Sequence, residues 1–176
     1  MYNQVKATQM AARFVELAGG PVNYVKLLKL MYLADRAMLT RHGKPVTYDR
    51  WVRMKHGPVL SATYDLIKGS PPGYWGAHLQ TNGFCVERVA ESGTDDLSPA
   101  EQDAILDTFM EYGRFDTWAL RDITHGLDEW QDPGSTSVPL TYREVLEVEG
   151  LGADEVAAVL ENIAAQDVMD RVLQAA

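Results

Sequence analysis

A chain of 176 residues, 46% hydrophobic and 23% charged, has the composition of a folded globular protein and excludes a disordered one. Its length suits a single domain burying roughly 70% of the surface its unfolded chain would expose. A net charge of −9 argues against nucleic acid as the main partner, because a strongly negative protein repels phosphate.

The total hides a division. Residues 1–88 carry 12 Lys/Arg and 5 Asp/Glu, a balance of +7, whereas residues 89–176 carry 4 and 20, a balance of −16. Either the halves pack together and neutralise each other, or an acidic C-terminal surface receives a basic protein. The longest apolar run, Leu30 to Ala34, is far too short for a membrane span. The start, Met1 to Lys6, lacks the layout of a signal peptide, and one cysteine, Cys85, cannot form an internal disulfide. These features point to a reducing cytoplasm.

In chain order, the first predicted helix runs from about Gln4 to Leu17, with Val5, Met10, Phe14 and Leu17 inward, and Gly19-Gly20-Pro21 stops it. The second spans about 22–42 and is apolar on almost every side, which places it at the centre of a bundle. Its one wide polar stripe is Lys26, Lys29, Arg36 and Thr40, and Gly43 follows as a C-terminal glycine. Residues Val46 to Met54 alternate like a strand, with Val46, Tyr48, Val52 and Met54 opposite Thr47, Asp49, Trp51 and Arg53. Gly57-Pro58 opens a helix to about Lys68, ended by Gly69-Ser70-Pro71-Pro72-Gly73.

His78 to Arg88 reads as a hairpin in which Asn82-Gly83 forms a type I′ turn, Leu79 facing Val86 and Thr81 facing Phe84. Its apolar face lies on the bundle or joins the strand near Val52. Ser98-Pro99-Ala100-Glu101 and Thr141-Tyr142-Arg143-Glu144 are capping boxes, and Phe115-Asp116 with Leu120 is a stapled cap. A last helix begins near Asp154, with Val156, Val159, Leu160 and Ile163 as its stripe; Gln166 and Asp167 interrupt the pattern before Val168, Met169, Val172 and Leu173. The expected fold is mainly α: a single-domain helical bundle around the central helix (about 22–42) with one small β-hairpin (about 78–88). Residues 1–150 form the helical domain, and 151–176 an acidic helix that is part of it or appended to it.

Chemistry is sparse. There is no nucleophile elbow, no phosphate loop and no zinc spacing among His42, His56, His78 and His125. His125 and Glu129 share a helix face, but two ligands do not make a metal site, so neither metal nor cofactor is expected. Asp95-Asp96 and Asp128-Glu129 read as solvated surface. Trp118 and Trp130 read as core or flap residues.

What remains is the run Asp49-Arg50-Trp51-Val52-Arg53-Met54-Lys55-His56. It is either a buried Trp51 with Asp49 and Arg53 paired on the surface, or a recognition ridge. On the second reading the partner-binding residues are Asp49, Arg50, Trp51, Arg53, Lys55, His56 and, on the next helix, Tyr64. An acidic tail of Asp154, Glu155, Glu161 and Asp167 adds to them.

Lys29 to Asp35, Asp49 with Trp51, Gly57-Pro58-Val59, Tyr64-Asp65-Leu66, Leu97-Ser98 with Glu101, Thr124-His125 and Trp130 together resemble the pattern of the Panacea domain family of SocA-like antitoxins. The resemblance covers about residues 5–132, with Met31 replacing a more usual leucine, a volume-conserving change. It implies a mostly helical, non-enzymatic domain that antagonises a toxin from the same operon by contact. In the SocA-like branch it implies instead an adaptor that delivers the toxin to a ClpXP-type protease. The Ala175-Ala176 end is either a helix terminus or a tag for such a protease. The remaining alternative is a small nucleotide-processing enzyme using His56, Asp49 and His125. No helix-turn-helix signature is evident.

Overall fold

Residues Tyr24–His42 (α2) form one 19-residue helix, started by the Asn23 side chain, which accepts from the Val25 N–H, and stopped at Gly43 with φ +68. In the computed structural model, which describes residues 1–69 and 73–174, this helix runs through the centre of the core. Leu27 through Asp35, with Met38 and Leu39, are all buried. The predicted polar stripe does not face water. Lys26 donates to the Gly113 carbonyl at 2.7 Å, Lys29 to Pro58 at 2.7 Å, and Arg36 to Glu129 at 2.7 Å. Lys26, Lys29 and Arg36 therefore each clasp a different segment, satisfying a carbonyl or carboxylate that burial would otherwise strand, while Thr40 donates to Ala37 of its own helix.

The elements follow as α1 (Gln4–Leu17), β1 (Val22–Asn23), α2, β2 (Trp51–Met54), β3 (Gly57–Leu60), α3 (Ser61–Gly69), α4 (Tyr74–His78), β4 (Leu79–Asn82), β5 (Cys85–Arg88), α5 (Pro99–Tyr112), α6 (Thr117–His125), β6 (Val138–Leu140), α7 (Tyr142–Val148) and α8 (Ala153–Gln174). Helix dominates as expected. The helical bundle with only one small hairpin is overturned, because the strands form two three-stranded antiparallel sheets, ordered β1-β5-β4 and β3-β2-β6.

Two local causes explain the correction. Gly57 and Pro58 do not open a helix: Gly57, at φ +96, closes a hairpin with Met54 across the two-residue loop Lys55-His56. The helix waits until Ser61, where the Asp49 carboxylate accepts from the Ala62 and Thr63 N–H groups. Then Val138-Pro139-Leu140, too short to show periodicity, pairs with β2 from its other side. Both outer strands of that sheet carry a proline, Pro58 and Pro139, as a residue without an N–H requires.

The second sheet is the predicted hairpin with a different turn. Asn82 pairs with Cys85, Thr81 with Val86 and Leu79 with Arg88, so Gly83-Phe84 is the loop. Gly83 takes φ +61 and Phe84 does not have positive φ, the arrangement of a turn with glycine at its first central position. Phe84 is thereby pushed out, 72% exposed, rather than facing Thr81. The hairpin's third strand is β1, not the strand near Val52.

Both capping boxes form, and Asp116 accepts from the N–H groups of Trp118 and Ala119. Lys6 ties α1 to the buried Glu101 of the first box at 2.7 Å. Helix α8 runs on through Gln166 and Asp167 without a break. Val156 is buried, Val159, Leu160 and Ile163 are half-buried, and Val168, Met169 and Val172 stand in solvent. The expected stop at Ser70-Pro71-Pro72, the side chain of Leu173 and the Ala175-Ala176 end lie outside the described residues. No helix among the described residues is long and apolar enough to cross a membrane.

Candidate functional site

The stretch 49–56 divides by the period of a strand. Its buried members hang on two carboxylates. Asp35, fully buried on α2, accepts from Val46 N at 2.7 Å, Thr47 N at 2.9 Å, Thr47 Oγ1 at 2.6 Å and Trp51 Nε1 at 3.2 Å. Burial pushes its carboxyl up to about 6, against the pull of those donors. Asp49 is equally enclosed: its oxygens start α3 and also accept from Thr63 Oγ1 at 2.8 Å, and burial raises its pKa. Trp51 lies between two rings, edge-on to Tyr32 at 5.1 Å and to Tyr142 at 4.7 Å, and the Tyr142 hydroxyl donates to the Asp49 carbonyl at 2.7 Å.

Arg53 points inward too. Its Nε donates to the Glu129 carbonyl at 2.9 Å, Nη1 to the Pro139 carbonyl at 2.7 Å and Nη2 to Glu144 at 2.8 Å. Glu129 in turn accepts from the Tyr32 hydroxyl and from two nitrogens of Arg36, which also reaches Glu149 at 2.6 Å. Burial pushes the Glu129 carboxyl up, but the Arg36 and Tyr32 donors outweigh it and hold it below its ordinary range. Asp49, Trp51 and Arg53 therefore join the interior frame and are not available to a partner. Asp49 and Arg53 do not pair on the surface.

Under the β2–β3 turn sits Lys29, wholly buried, its ammonium pushed down to about 7 by desolvation. A Cβ on Gly57 would come within 2.7 Å of Thr124 Oγ1 and 2.8 Å of Lys29 Nζ, so only glycine allows this approach. Next to it the His125 ring stacks on Trp130 at 3.8 Å, and its buried Nε2 has no hydrogen-bond partner among the described residues. Burial and the Lys29 charge lower its pKa. Glu129 is engaged by Arg36, so His125 and Glu129 do not converge as ligands. No group of three or more His, Cys, Asp or Glu suited to a metal occurs among the described residues. His56, Asp49 and His125, the enzyme alternative, share no hydrogen bond.

The turn itself presents Lys55 and His56 to solvent, against α6. The His56 ring meets Trp118 edge-on at 6.2 Å, Trp118 is 60% exposed, and the Arg121 guanidinium lies 5.1 Å from its ring centre. One large aromatic and three cationic or titratable side chains thus lie together at the surface, outside the buried frame. Trp118 is expected from the sequence as a core or flap residue, and it is not core. The signal that places it outside is helical phase: two positions from buried Leu120, it points about 200° away.

Arg50 is exposed at the opposite end of β2. Tyr64 is half-buried in a second aromatic group with Tyr24 (6.4 Å), which itself stacks on Phe84 (6.3 Å) beneath Lys68. In the tail, Asp154, Glu155 and Glu161 are exposed. Glu155 accepts from the Gly152 N–H at 2.8 Å and starts α8. Asp167 is half-buried and pairs with the Met1 amino nitrogen.

The family model for the SocA-like antitoxin, Panacea domain, matches residues 27–131, more than half of the chain. The chain belongs to that family. Neither the curated proteins nor the solved structures contain a match to it. The matched span of this Panacea domain opens in α2 and closes just after Trp130, enclosing Lys29, Asp35, Asp49, Trp51, Arg53, Gly57, Thr124 and Glu129. Several partners of that frame, Pro139, Tyr142, Glu144 and Glu149, come from the region after it. The domain is of antitoxin type, and membership implies a toxin as partner.

Proposed function

We propose that this Panacea-domain protein is an antitoxin that neutralises a cognate protein toxin by direct, non-enzymatic contact in the cytoplasm. The contact runs through Lys55, His56 and Trp118, with Arg50 and Tyr64 at its margins and the α8 acids Asp154 and Glu161 guiding the approach. The observation that carries this reading is Trp118, a large aromatic left in solvent beside basic groups on a domain of antitoxin type. Exposed tryptophans of this kind are enriched among the few residues that dominate binding energy. We take residues 1–150 as the binding domain and α8 as a packed extension that bears the acidic surface.

Co-expression with the product of the neighbouring gene tests it, scoring growth and co-purification together. Rescue with a stable complex supports neutralisation by blocking. Rescue in which the toxin disappears unless a ClpXP-type protease is deleted would instead make the protein an adaptor. Absence of both rescue and binding overturns the reading.

A further inference from the structure

Beside the start of β2 lies an open groove of about 450 Å³, walled by Tyr48, Val52, Pro139, Leu140 and Tyr142, with Arg50 and Ser61 also lining it. That volume lies in the range of ligand-sized clefts. Tyr48 holds φ +53, the one non-glycine residue with left-handed backbone among those described, a conformation that concentrates at functional sites. Arg50 is exposed, and its guanidinium enters no ion pair among the described residues, whereas Arg53, three residues on, makes three hydrogen bonds. The one carboxylate in the lining, Asp49, is buried and committed to α3. The groove thus offers apolar walls, a lone cation and a hydroxyl.

A strand cannot simply be added here. Pro139 has no N–H to donate, and its carbonyl already accepts from Arg53 Nη1, so the middle of edge strand β6 presents no main-chain pair. Recognition must come from side chains. We propose that the groove seats a short segment of the toxin in which a bulky apolar side chain is followed closely by a carboxylate. The apolar side chain packs between Val52, Pro139 and Tyr142, and the carboxylate meets the Arg50 fork and the Ser61 hydroxyl. The inference rests on the antitoxin reading and deepens it. Arg50 and the Lys55-His56 turn flank the two ends of β2, about 17 Å apart by strand rise, so one partner can cover both.

The test is selection of random peptides displayed on phage against the intact chain and its Arg50→Glu variant, an exposed position at which folding is spared. Expected winners carry Leu, Phe or Trp with Asp or Glu within three positions. Arg50→Glu should lower their recovery about tenfold or more and favour Lys or Arg at the same place. Winners without a charge preference, or a motif unchanged by Arg50→Glu, overturn the proposal. So does a homodimer in sedimentation that Arg50→Glu dissolves, since a second copy of the chain would then fill the groove. In the growth assay, full neutralisation by Arg50→Glu removes the toxin from this groove while leaving the antitoxin reading intact. Failure of the unaltered chain to neutralise removes that reading, whatever the peptides show.

Discussion

The inner and outer sides of residues 49–56 were built under different demands. Inside, Asp49 is held by hydrogen bonds, Arg53 by two carbonyls and the Glu144 carboxylate, and Trp51 by two rings and a carboxylate. Outside, Arg50, Lys55 and His56 form no ion pair among the described residues, and the ring that His56 meets, Trp118, is itself in solvent. Adjacent residues of one strand thus answer to separate pressures: the inner set fixes the backbone, and the outer set is left for something else to satisfy. Substitutions inside should move stability and leave partner specificity alone, and those outside should do the reverse.

The largest break in that contrast should come from Asp35→Ala. It orphans two buried N–H groups, a hydroxyl and the Trp51 indole, and should cost about 3–5 kcal/mol in a urea titration. A loss under about 1 kcal/mol would mean the 46–51 segment is held by other contacts. Next is Gly57→Ala, where a strained φ and the collision with Thr124 and Lys29 should cost about 2–3 kcal/mol. An unchanged unfolding midpoint would show that the turn relaxes freely.

Lys29 sharpens the comparison through pH. Its folded pKa, about 7, lies below that of the unfolded chain, so the unfolded state binds more protons between about pH 7 and 10. Stability should therefore carry a penalty below pH 7 that is relieved as pH rises, by about 1.4 kcal/mol per unit at most. Lys29→Met should flatten that rise between pH 7 and 9; an identical slope in both proteins would show that Lys29 titrates normally. The smallest effect belongs to α8. Asp154→Lys with Glu161→Lys should leave the unfolding midpoint unchanged yet slow toxin association a few-fold at low salt, by stopped-flow mixing. Equal rates at all salt concentrations would remove steering from the account.

Much of this was legible. The central helix, the two capping boxes, the Asp116 cap and the existence of the 78–88 hairpin follow from periodicity and cap chemistry, which are local signals. The β3-β2-β6 sheet was hidden because its strands are three or four residues long and β6 comes from more than 80 residues beyond β2. The hairpin turn shifted by one residue because glycine satisfies either the first or the second central position, and pairing decides between them. At the site, the strand period of 49–56 was readable, but its phase was not. Arg53 faces inward because Glu129 and Glu144 wait there, and no local pattern announces partners so distant in sequence. The partners of the α2 polar stripe, Gly113, Pro58 and Glu129, are hidden for the same reason.

The most direct test pairs one variant from each side, Arg53→Met and Trp118→Ala, and measures unfolding free energy and toxin affinity on both. The account predicts that Arg53→Met loses about 2–4 kcal/mol of stability, while the folded fraction keeps its affinity. Trp118→Ala should stay within about 0.5 kcal/mol in stability and bind at least tenfold more weakly. Full affinity in a stable Trp118→Ala protein would contradict the account.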